Sequence, residues 1–174
     1  MNEERQGLKN AAIKIVGDRI KEIGTKEELI LSNPEASIIG NDNFMVIPGL
    51  INAHQHLTGD RLIQSCIPSE IEDTEAIFDW SVPIHALHSP DDDEISATLS
   101  LAESARCGIT FTVEAGTVAS PEMVLNGFEK VGVGGAIGSW GWDVGNGPYV
   151  DSVDGVIERQ LQVLEMTKNH SSVK

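Results

Sequence analysis

The sequence predicts an α/β protein in which three strand–helix units follow a short opening rich in β-strands. Two observations lead to this prediction. Residues 1–47 contain short runs of alternating apolar and polar residues separated by turn residues, which is typical of antiparallel strands. After Pro48, apolar strand-like runs alternate with segments that carry helix start signals, and this alternation indicates parallel βα units. We therefore divide the chain into a β-rich part, residues 1–47, and an α/β part, residues 48–174.

The N-terminal part begins with a predicted hairpin. The segment AAIKIVGDRIKEIG, residues 11–24, alternates apolar and polar residues on either side of Gly17-Asp18, a pair that suits a tight turn. Thr25, followed three residues later by Glu28, is a capping-box signature that predicts a short helix over TKEELILS. The runs SIIG and MVI predict two more short strands around the turn NDNF.

The first βα unit begins with GLINAHQH, which predicts a buried strand. Residues 57–88 are irregular in pattern, with helical turns expected around EAIFDW. Ser89 as N-cap, Pro90 at the first helical position and three aspartates in the first turn then predict a helix start. Helical spacing continues through an apolar set, and Gly108 is a suitable terminator. This set consists of Ile95, Leu99, Ala102 and Ala105.

Two further units follow the same plan. ITFTVE, residues 109–114, predicts the second strand, and Ser120-Pro121 predicts a helix that runs to about Lys130. The glycine-rich run VGVGGAIGSW, residues 131–140, predicts the third strand. A third helix is predicted over residues 152–170, with four apolar residues on one face. They are Val153, Ile157, Leu161 and Leu164.

The charge balance restricts the class of partner. Lys and Arg number 12 against 27 Asp and Glu, so the formal net charge is −15. Such a surface repels phosphate backbones and anionic membranes, which argues against nucleic-acid or membrane partners and leaves small-molecule substrates. The start MNEERQGLKN has no apolar core of a signal peptide, and Cys66 and Cys107 are too few for a disulfide framework. We expect a cytoplasmic protein with both thiols reduced and buried.

The segment VIPGLINAHQH, residues 46–56, holds the strongest signal for chemistry. Because side chains two residues apart on a strand point the same way, His54 and His56 are expected to aim their imidazoles at one point. That is a suitable arrangement for two metal ligands. A bare His-x-His also occurs by chance, and both residues could instead be core histidines, or one buried and one exposed.

Taken together, an opening with an I-x-x-I-G hairpin, then PGLINAHQH, then βα units, resembles the amidohydrolase superfamily of metal-dependent hydrolases. The similarity is greatest to the branch that holds cytosine deaminase, the adenosylhomocysteine and methylthioadenosine deaminases and the triazine hydrolases. PGLINAHQH is the most specific part, and CGITFTVEAGT is similar to the second barrel strand of that branch. The resemblance spans nearly the whole chain.

The resemblance implies a (β/α)8 barrel, of which this chain holds about the first three units, preceded by the N-terminal strands of a small β-sandwich. It implies that His54 and His56 bind a divalent metal, zinc or iron, which activates water for attack on a carbon–nitrogen bond other than a peptide bond. The expected substrate is a cyclic or heterocyclic small molecule, and the complete form is expected to be a homo-oligomer. Dechlorination, as in the triazine hydrolases, is an alternative that uses the same machinery.

The family's other metal ligands and its proton shuttle lie on later strands of the barrel, and this chain has no matching positions. Eight units need roughly 300 residues or more. We therefore expect an N-terminal fragment of an enzyme, and no catalytic residue is identifiable in it. The alternative is an inactive product or a weak metal-binding module. Open strand edges should also make the isolated chain poorly soluble or oligomeric.

Other polar residues are candidates for substrate contact. Glu114 ends the second strand and Asp143 follows the third, so either could face the site, contact substrate or hold a ligand histidine by a hydrogen bond, although a plain loop or capping role is simpler. Trp140, with Trp142, could wall a pocket for a flat ring, or simply pack. Candidates in the loop after His56 are Asp60, Arg61 and Gln64.

Three histidines remain. His85 and His88, three residues apart, could share one face of a helical turn as substitute ligands, but two polar residues in a surface loop is the simpler interpretation. His170 lies near the end of a helix, where a metal role is not expected.

Overall fold

The computed structural model of the protein describes residues 7–174, without the side chain of Asp60. The chain forms two compact units: the first ends at Pro48, and the second covers Gly49–Lys174. No helix in the described part of the chain is long and apolar enough to cross a membrane.

The first unit contains the predicted hairpin. Strands β1 (Ala11–Val16) and β2 (Arg19–Thr25) pair antiparallel. Gly17 occupies the turn at φ +62°, a left-handed conformation that a residue without Cβ adopts readily. Helix α1 (Lys26–Ser32) follows, and the Thr25 hydroxyl oxygen caps it by accepting the Glu28 N–H at 3.3 Å. The hairpin and the helix are confirmed.

The predicted strands SIIG and MVI are wrong. Residues 33–49 contain turns but no strand, and apolar side chains in that segment, such as Ile39 and Met45, are exposed. A strand needs a neighbour to receive its backbone hydrogen bonds. Within the described residues of this unit, β1 and β2 pair only with each other, so the apolar alternation of the later segment finds no ladder to join.

The second unit is built on a parallel sheet. Its order is β3 (Leu50–Gln55), β4 (Ile109–Glu114) and β5 (Gly134–Ala136), and both pairs of neighbours are parallel. The carboxyl ends of all three strands therefore lie at one edge of the sheet. The α/β class and the parallel arrangement are confirmed.

Strand β5 is shorter than the ten-residue run that the sequence predicted. Its glycines allow close packing: a Cβ on Gly135 would lie 2.4 Å from the Phe128 ring and 2.6 Å from the Thr112 carbonyl oxygen. Gly49, which precedes β3, is similarly confined, since a Cβ there would lie 2.0 Å from the Thr110 hydroxyl oxygen. The glycines thus serve close approach of neighbouring backbone and side chains.

Three long helices accompany the sheet. They are α5 (Pro90–Arg106), α6 (Pro121–Val131) and α7 (Val153–Thr167). Ser89 and Asp92 form a complete capping box at the start of α5, and Gly132 ends α6 in the left-handed conformation. All three predicted helices are confirmed. The buried core lies around α5 and α6 and consists of Leu57, Ala97, Leu101, Val118, Val124, Leu125, Phe128 and Val173.

The helical periodicity identified the helices but not their buried faces. On α5, Ile95 and Leu99 are about half exposed, whereas small polar residues are buried. Ser96 and Ser100 both donate to the carbonyl oxygen of Leu57, at 3.1 and 3.3 Å. Short side chains let the helix approach closely, and their hydroxyls satisfy a carbonyl just beyond β3. The apolar face predicted on α7 is exposed along its length at Val153, Ile157, Leu161 and Leu164.

Short helical segments fill the connection from β3 to α5, as expected. In order they are α2 (Asp60–Ile63), a 3-10 turn (Gln64–Cys66), α3 (Asp73–Glu75), a π-helical stretch (Ala76–Ser81) and α4 (Val82–His85). The prediction that both cysteines are buried is wrong, because both are exposed. Cys66 ends a surface turn, and Cys107 follows the last residue of α5, so neither reaches the core.

Candidate metal-binding site

His54 and His56 lie at the carboxyl end of β3. His54 belongs to the strand, and His56 is the first residue beyond it. Their Nε2 atoms are 3.3 Å apart, and the two rings meet edge to face with centroids 5.0 Å apart. Two nitrogens bound tetrahedrally to one zinc ion, each at about 2.0–2.1 Å, would be about 3.3–3.4 Å apart. The pair therefore has the spacing of two ligands of a single metal ion.

The backbone before the two histidines is held by an asparagine. The Asn52 Oδ1 atom accepts the His54 N–H at 3.2 Å, and its amide nitrogen donates to Gln55 at 2.8 Å. The register between β3 and β4 shifts between Asn52 and Gln55. Such irregularities re-aim side chains at the end of a strand. The local bend and the Asn52 bond together set the direction from which the histidines project.

A threonine from the next strand's loop contacts His56. The Thr117 hydroxyl oxygen lies 3.1 Å from Nδ1 of His56 and donates its own proton to Glu114 Oε1 at 2.5 Å. Since that proton is committed to Glu114, the oxygen accepts from His56, which places the imidazole proton on Nδ1. The Nε2 atom is then left with a free lone pair, the form in which histidine binds a metal.

Glu114 holds this loop in place by accepting hydrogen bonds from it. The carboxylate is 4% exposed and accepts hydrogen bonds from the Gly116 N–H at 2.7 Å and the Thr117 N–H at 3.1 Å, besides the Thr117 hydroxyl. Burial raises the pKa of Glu114 above its ordinary value, and the donors and His56 oppose that rise. The carboxylate thus reaches His56 through Thr117 rather than directly.

A second polar cluster lies on α4 and the start of α5. His85 Nε2 and His88 Nδ1 lie 3.6 and 3.3 Å from Asp93 Oδ1. His85 and Asp93 are almost fully buried, at 2% and 1% exposed. The interpretation as surface-loop residues is therefore wrong for His85, whereas His88 lies in the connection between α4 and α5 and is partly buried. The reason is that α4 and α5 bring His85 and the inward-facing Asp93 together, which helical spacing alone did not reveal.

His85 uses both ring nitrogens. Its Nδ1 lies 2.7 Å from the Tyr149 hydroxyl and its Nε2 lies 2.8 Å from the Thr58 hydroxyl. Burial lowers the pKa of His85 to about 4, with His88 lowering it further and Asp93 opposing. Burial, with Asp93, raises the pKa of Tyr149 to about 12. The imidazole and the phenol are both neutral near pH 7.

The tryptophans occupy different environments. Trp140 is 6% exposed and stacks on Tyr149 with ring centroids 4.5 Å apart, so it packs in the interior rather than presenting a face to a pocket. Trp142 lies against Phe78 and lines a hollow of about 490 Å³. The exposed Asp143 lies on the rim of the same hollow. Of the pair proposed from the sequence, Trp142 lines this hollow and Trp140 does not.

The other candidates from the sequence are not gathered at the histidine pair. Arg61 forms an ion pair with Glu103 on α5, and Gln64 is exposed in the 3-10 turn. The side chain of Asp60 lies outside the described part of the structure. The His170 Nδ1 atom accepts the backbone N–H groups of Ser172 and Val173 at 3.3 and 3.0 Å, a structural role.

Sequence reasoning missed Thr117, Thr58, Asp93 and Tyr149. Thr117 carried a usable signal, because it follows the second strand by three residues, at the edge where parallel strands present their loops. Tyr149 carried none, since only the fold brings it to a histidine 64 positions earlier.

Two curated proteins of the same name are similar to this chain in sequence. The chain is 29% identical over 108 residues to the 5-methylthioadenosine/S-adenosylhomocysteine deaminase of Nitratidesulfovibrio vulgaris (strain DSM 19637 / Miyazaki F), a match that covers 61% of this chain and 24% of that protein. It is 32% identical over 111 residues to the enzyme of the same name from Lawsonia intracellularis (strain PHE/MN1-00), covering 63% and 24%. No protein-family model matches the chain.

Two solved structures share the fold. An adenosine deaminase from Xanthomonas campestris with bound zinc superposes with a TM-score of 0.76 at 17% identity, covering 96% of this chain and 37% of that one. Atrazine chlorohydrolase TrzN from Arthrobacter aurescens TC1, complexed with zinc, gives a TM-score of 0.78 at 21% identity, covering 99% and 42%.

The resemblance to the amidohydrolase superfamily is confirmed. The chain matches about a quarter of the length of these curated relatives, 24% in each case. The two solved structures superpose on nearly all of this chain but are themselves covered by less than half.

Proposed function

We propose that the chain is the N-terminal portion of a metal-dependent amidohydrolase that hydrolyses carbon–nitrogen bonds, other than peptide bonds, in a cyclic or heterocyclic small molecule. The observation that carries the proposal is the 3.3 Å separation of the His54 and His56 Nε2 atoms at the carboxyl end of the first parallel strand. The names of the curated relatives, both deaminases of adenosine derivatives, support a deaminase.

The proposal assigns the three parallel strands to the first three βα units of a (β/α)8 barrel. In such barrels the chemistry takes place at the carboxyl ends of the strands, which is where the two histidines lie. The partial coverage of the solved neighbours, 37% and 42%, supports a chain that corresponds to part of a barrel.

The residues fit a divalent metal. His54 and His56 would hold it through Nε2, and the hydrogen bond from Nδ1 of His56 to Thr117 keeps Nε2 of His56 unprotonated for that purpose. We propose zinc, because both solved neighbours bind it; iron accepts the same imidazole ligands. A catalytic site needs about three protein ligands, so at least one would come from a part of the protein beyond this chain.

Bound there, a zinc ion would lower the pKa of a coordinated water from 15.7 to about 7 and so supply hydroxide at neutral pH. The residues of this chain have positioning roles. Asn52 fixes the strand end, Thr117 fixes the tautomer of His56, and Glu114 orders the loop that carries Thr117. The proton shuttle is assigned to the part of the protein beyond this chain.

A chlorohydrolase is the second candidate. Atrazine chlorohydrolase superposes with a TM-score of 0.78, and water activated by a metal can displace chloride from a ring as well as an amine. The third candidate is an inactive fragment or a weak two-histidine metal-binding module, since two ligands alone do not complete a catalytic site.

Metal binding tests the proposal on the chain itself. Purified protein equilibrated with zinc should hold the ion through the histidine pair, and the His54→Ala/His56→Ala variant should lose that ion. His170→Gln is the matched control, because the His170 ring bonds to its own loop and lies near Glu129, away from the histidine pair, so the zinc content should stay unchanged. Zinc content equal to wild type in the double variant would refute the assignment.

Turnover tests the reaction class in the complete gene product. Release of ammonia from methylthioadenosine or adenosine, abolished by the same double substitution, would support a deaminase. Release of chloride from atrazine would support the second candidate. Metal binding without turnover of any ring substrate would support the third.

A further inference from the structure

The cluster formed by His85, His88 and Asp93 is a second group of metal-ligating side chains. It shares no residue with the His54 and His56 pair. Within the described residues, one nitrogen of each histidine and one Asp93 oxygen all lie within 4.8 Å of one another. Both the spacing and the residue types are those of a nitrogen and oxygen site for a borderline divalent ion.

Asp93 is a buried carboxyl group that requires compensating partners. Its side chain is 1% exposed, and the partners of its carboxylate among the described side chains are His85 and His88. A buried carboxylate is strongly unfavourable unless a positive charge or several hydrogen bonds compensate it. The described part of the chain places no lysine or arginine beside it, so the compensation comes from the histidines or from an ion.

His85 does not supply that charge. Thr58 donates its hydroxyl proton to the Thr117 carbonyl oxygen at 3.2 Å, so its oxygen accepts the Nε2 proton of His85. His85 Nδ1 then accepts from the Tyr149 hydroxyl. Both nitrogens are occupied in the neutral imidazole. Since His85 is neutral in this arrangement, a bound cation would supply the positive charge that faces the Asp93 carboxylate.

We propose that His85 Nε2, His88 Nδ1 and Asp93 Oδ1 form a binding site for a divalent transition-metal ion of the zinc class. The separations of the Asp93 oxygen from the two nitrogens, 3.6 and 3.3 Å, are close to the roughly 3.3–3.4 Å expected between ligands of one tetrahedral ion.

Binding requires one proton to change place. The proton on Nε2 of His85 would move to Nδ1, so that the imidazole stays neutral and Nε2 offers its lone pair to the ion. Nδ1 would then donate to the Tyr149 phenol oxygen instead of accepting from it. A ligand histidine commonly makes such a bond through its second nitrogen, which fixes the ring orientation. His88, whose side chain is 10% exposed, is the side from which an ion reaches the cluster.

Metal stoichiometry in a matched set of variants tests this site. The 174-residue chain carrying His54→Ala/His56→Ala isolates the cluster from the first pair. We expect this background to bind about one cobalt(II) or zinc ion per chain, with the visible absorption of tetrahedral cobalt. Adding His88→Gln should weaken that binding at least tenfold, whereas adding His170→Gln should leave it unchanged.

The outcomes separate the two sites. Loss of metal in the His54→Ala/His56→Ala background, with the fold intact by near-ultraviolet circular dichroism, would overturn the second site and leave the first untouched. Retained binding after His88→Gln would also overturn it. Asp93→Asn is the confirming variant; because Asp93 is buried and the change could unfold the chain, the partly exposed His88 decides the matter.

Discussion

The Thr117 hydroxyl oxygen lies 3.1 Å from Nδ1 of His56, although 61 positions separate the two residues in the sequence. The contact joins the loop after β4 to the end of β3, so two neighbouring strands of the parallel sheet converge on one imidazole. Because the Thr117 proton goes to Glu114, the direction of the hydrogen bond is fixed and so is the tautomer of His56. The sheet edge is thereby organised around a free Nε2 lone pair.

Replacing Thr117 by valine should weaken zinc binding at the histidine pair. Valine keeps the shape but cannot accept the Nδ1 proton of His56 or donate to Glu114. Loss of such an outer hydrogen bond typically lowers metal affinity by about 10- to 100-fold. The measurement is a cobalt(II) titration of Thr117→Val in a His88→Gln background, so that only the pair is observed.

Thr117→Ser is the control for this change, because it keeps the hydroxyl and removes only a methyl group. Serine should retain affinity within a few-fold of the parent. Equal affinity in the valine and serine variants would mean that Thr117 does not act on His56.

Replacing Tyr149 by phenylalanine should destabilise the second unit. The phenylalanine ring can keep the stacking on Trp140, but Nδ1 of the buried His85 loses its partner at 2.7 Å. An unsatisfied buried polar atom costs about 1–3 kcal/mol of folding free energy. Urea denaturation followed by tryptophan fluorescence measures the difference.

The same substitution in a His85→Phe background isolates the hydrogen bond. In that background no imidazole nitrogen is left unpaired, so removal of the phenol hydroxyl should change the unfolding free energy little. The double-mutant cycle of His85→Phe and Tyr149→Phe then gives the interaction energy between the two side chains. An equal loss in both backgrounds would show that the hydroxyl acts elsewhere.

The local sequence signals predicted the helices and the strands of the parallel sheet. Caps such as Ser89 and terminators such as Gly132 act within a few residues, so the pattern that encodes them is visible in the chain. Strand β4 was likewise predicted at its observed limits, residues 109–114. The predictions failed where a strand needs a neighbouring strand to pair with. SIIG and MVI have strand-like patterns, but no neighbouring strand in the described residues pairs with them.

The two candidate sites also differ in whether local sequence spacing predicts them. His54 and His56 are two residues apart on a strand, so their proximity follows from local geometry. His85 meets Asp93 and Tyr149 only because α4, α5 and the loop before α7 converge, and no spacing in the sequence encodes that convergence. The buried faces of the helices could not be predicted either, because they depend on which element packs against them. Serines, not leucines, fill the close contact between α5 and the end of β3.

Removing the cap of α5 should lower stability by more than removing the serine before α6. The Ser89 hydroxyl oxygen accepts the Asp92 N–H at 3.3 Å, and the Ser89 N–H donates to Asp92 Oδ2 at 2.8 Å, whereas Ser120 makes no side-chain capping bond. Ser89→Ala should cost about 1 kcal/mol and Ser120→Ala much less. Urea midpoints of the two variants give the comparison, and equal losses would contradict the capping argument.

The contact between α5 and α6 should make stability depend on pH through Glu94. This carboxylate pairs with Lys130 and accepts from the Asn126 amide at 3.0 Å. The Lys130 bond first, and then the Asn126 bond, lower the pKa of Glu94 below its ordinary value of 4.5. A carboxyl group with a lowered pKa in the folded state contributes stability above that ordinary value and loses it as the pH falls through the lowered one. The difference in unfolding free energy between wild type and Glu94→Gln should therefore be largest near neutral pH and should shrink below about pH 4.5. Urea denaturation at a series of pH values measures it.

Glu165→Gln, which breaks an exposed pair with Lys168 inside one helix, is the control and should leave stability almost unchanged. A Glu94→Gln difference that stayed constant across the acidic range would show that the α5–α6 contact does not depend on the ionised carboxylate.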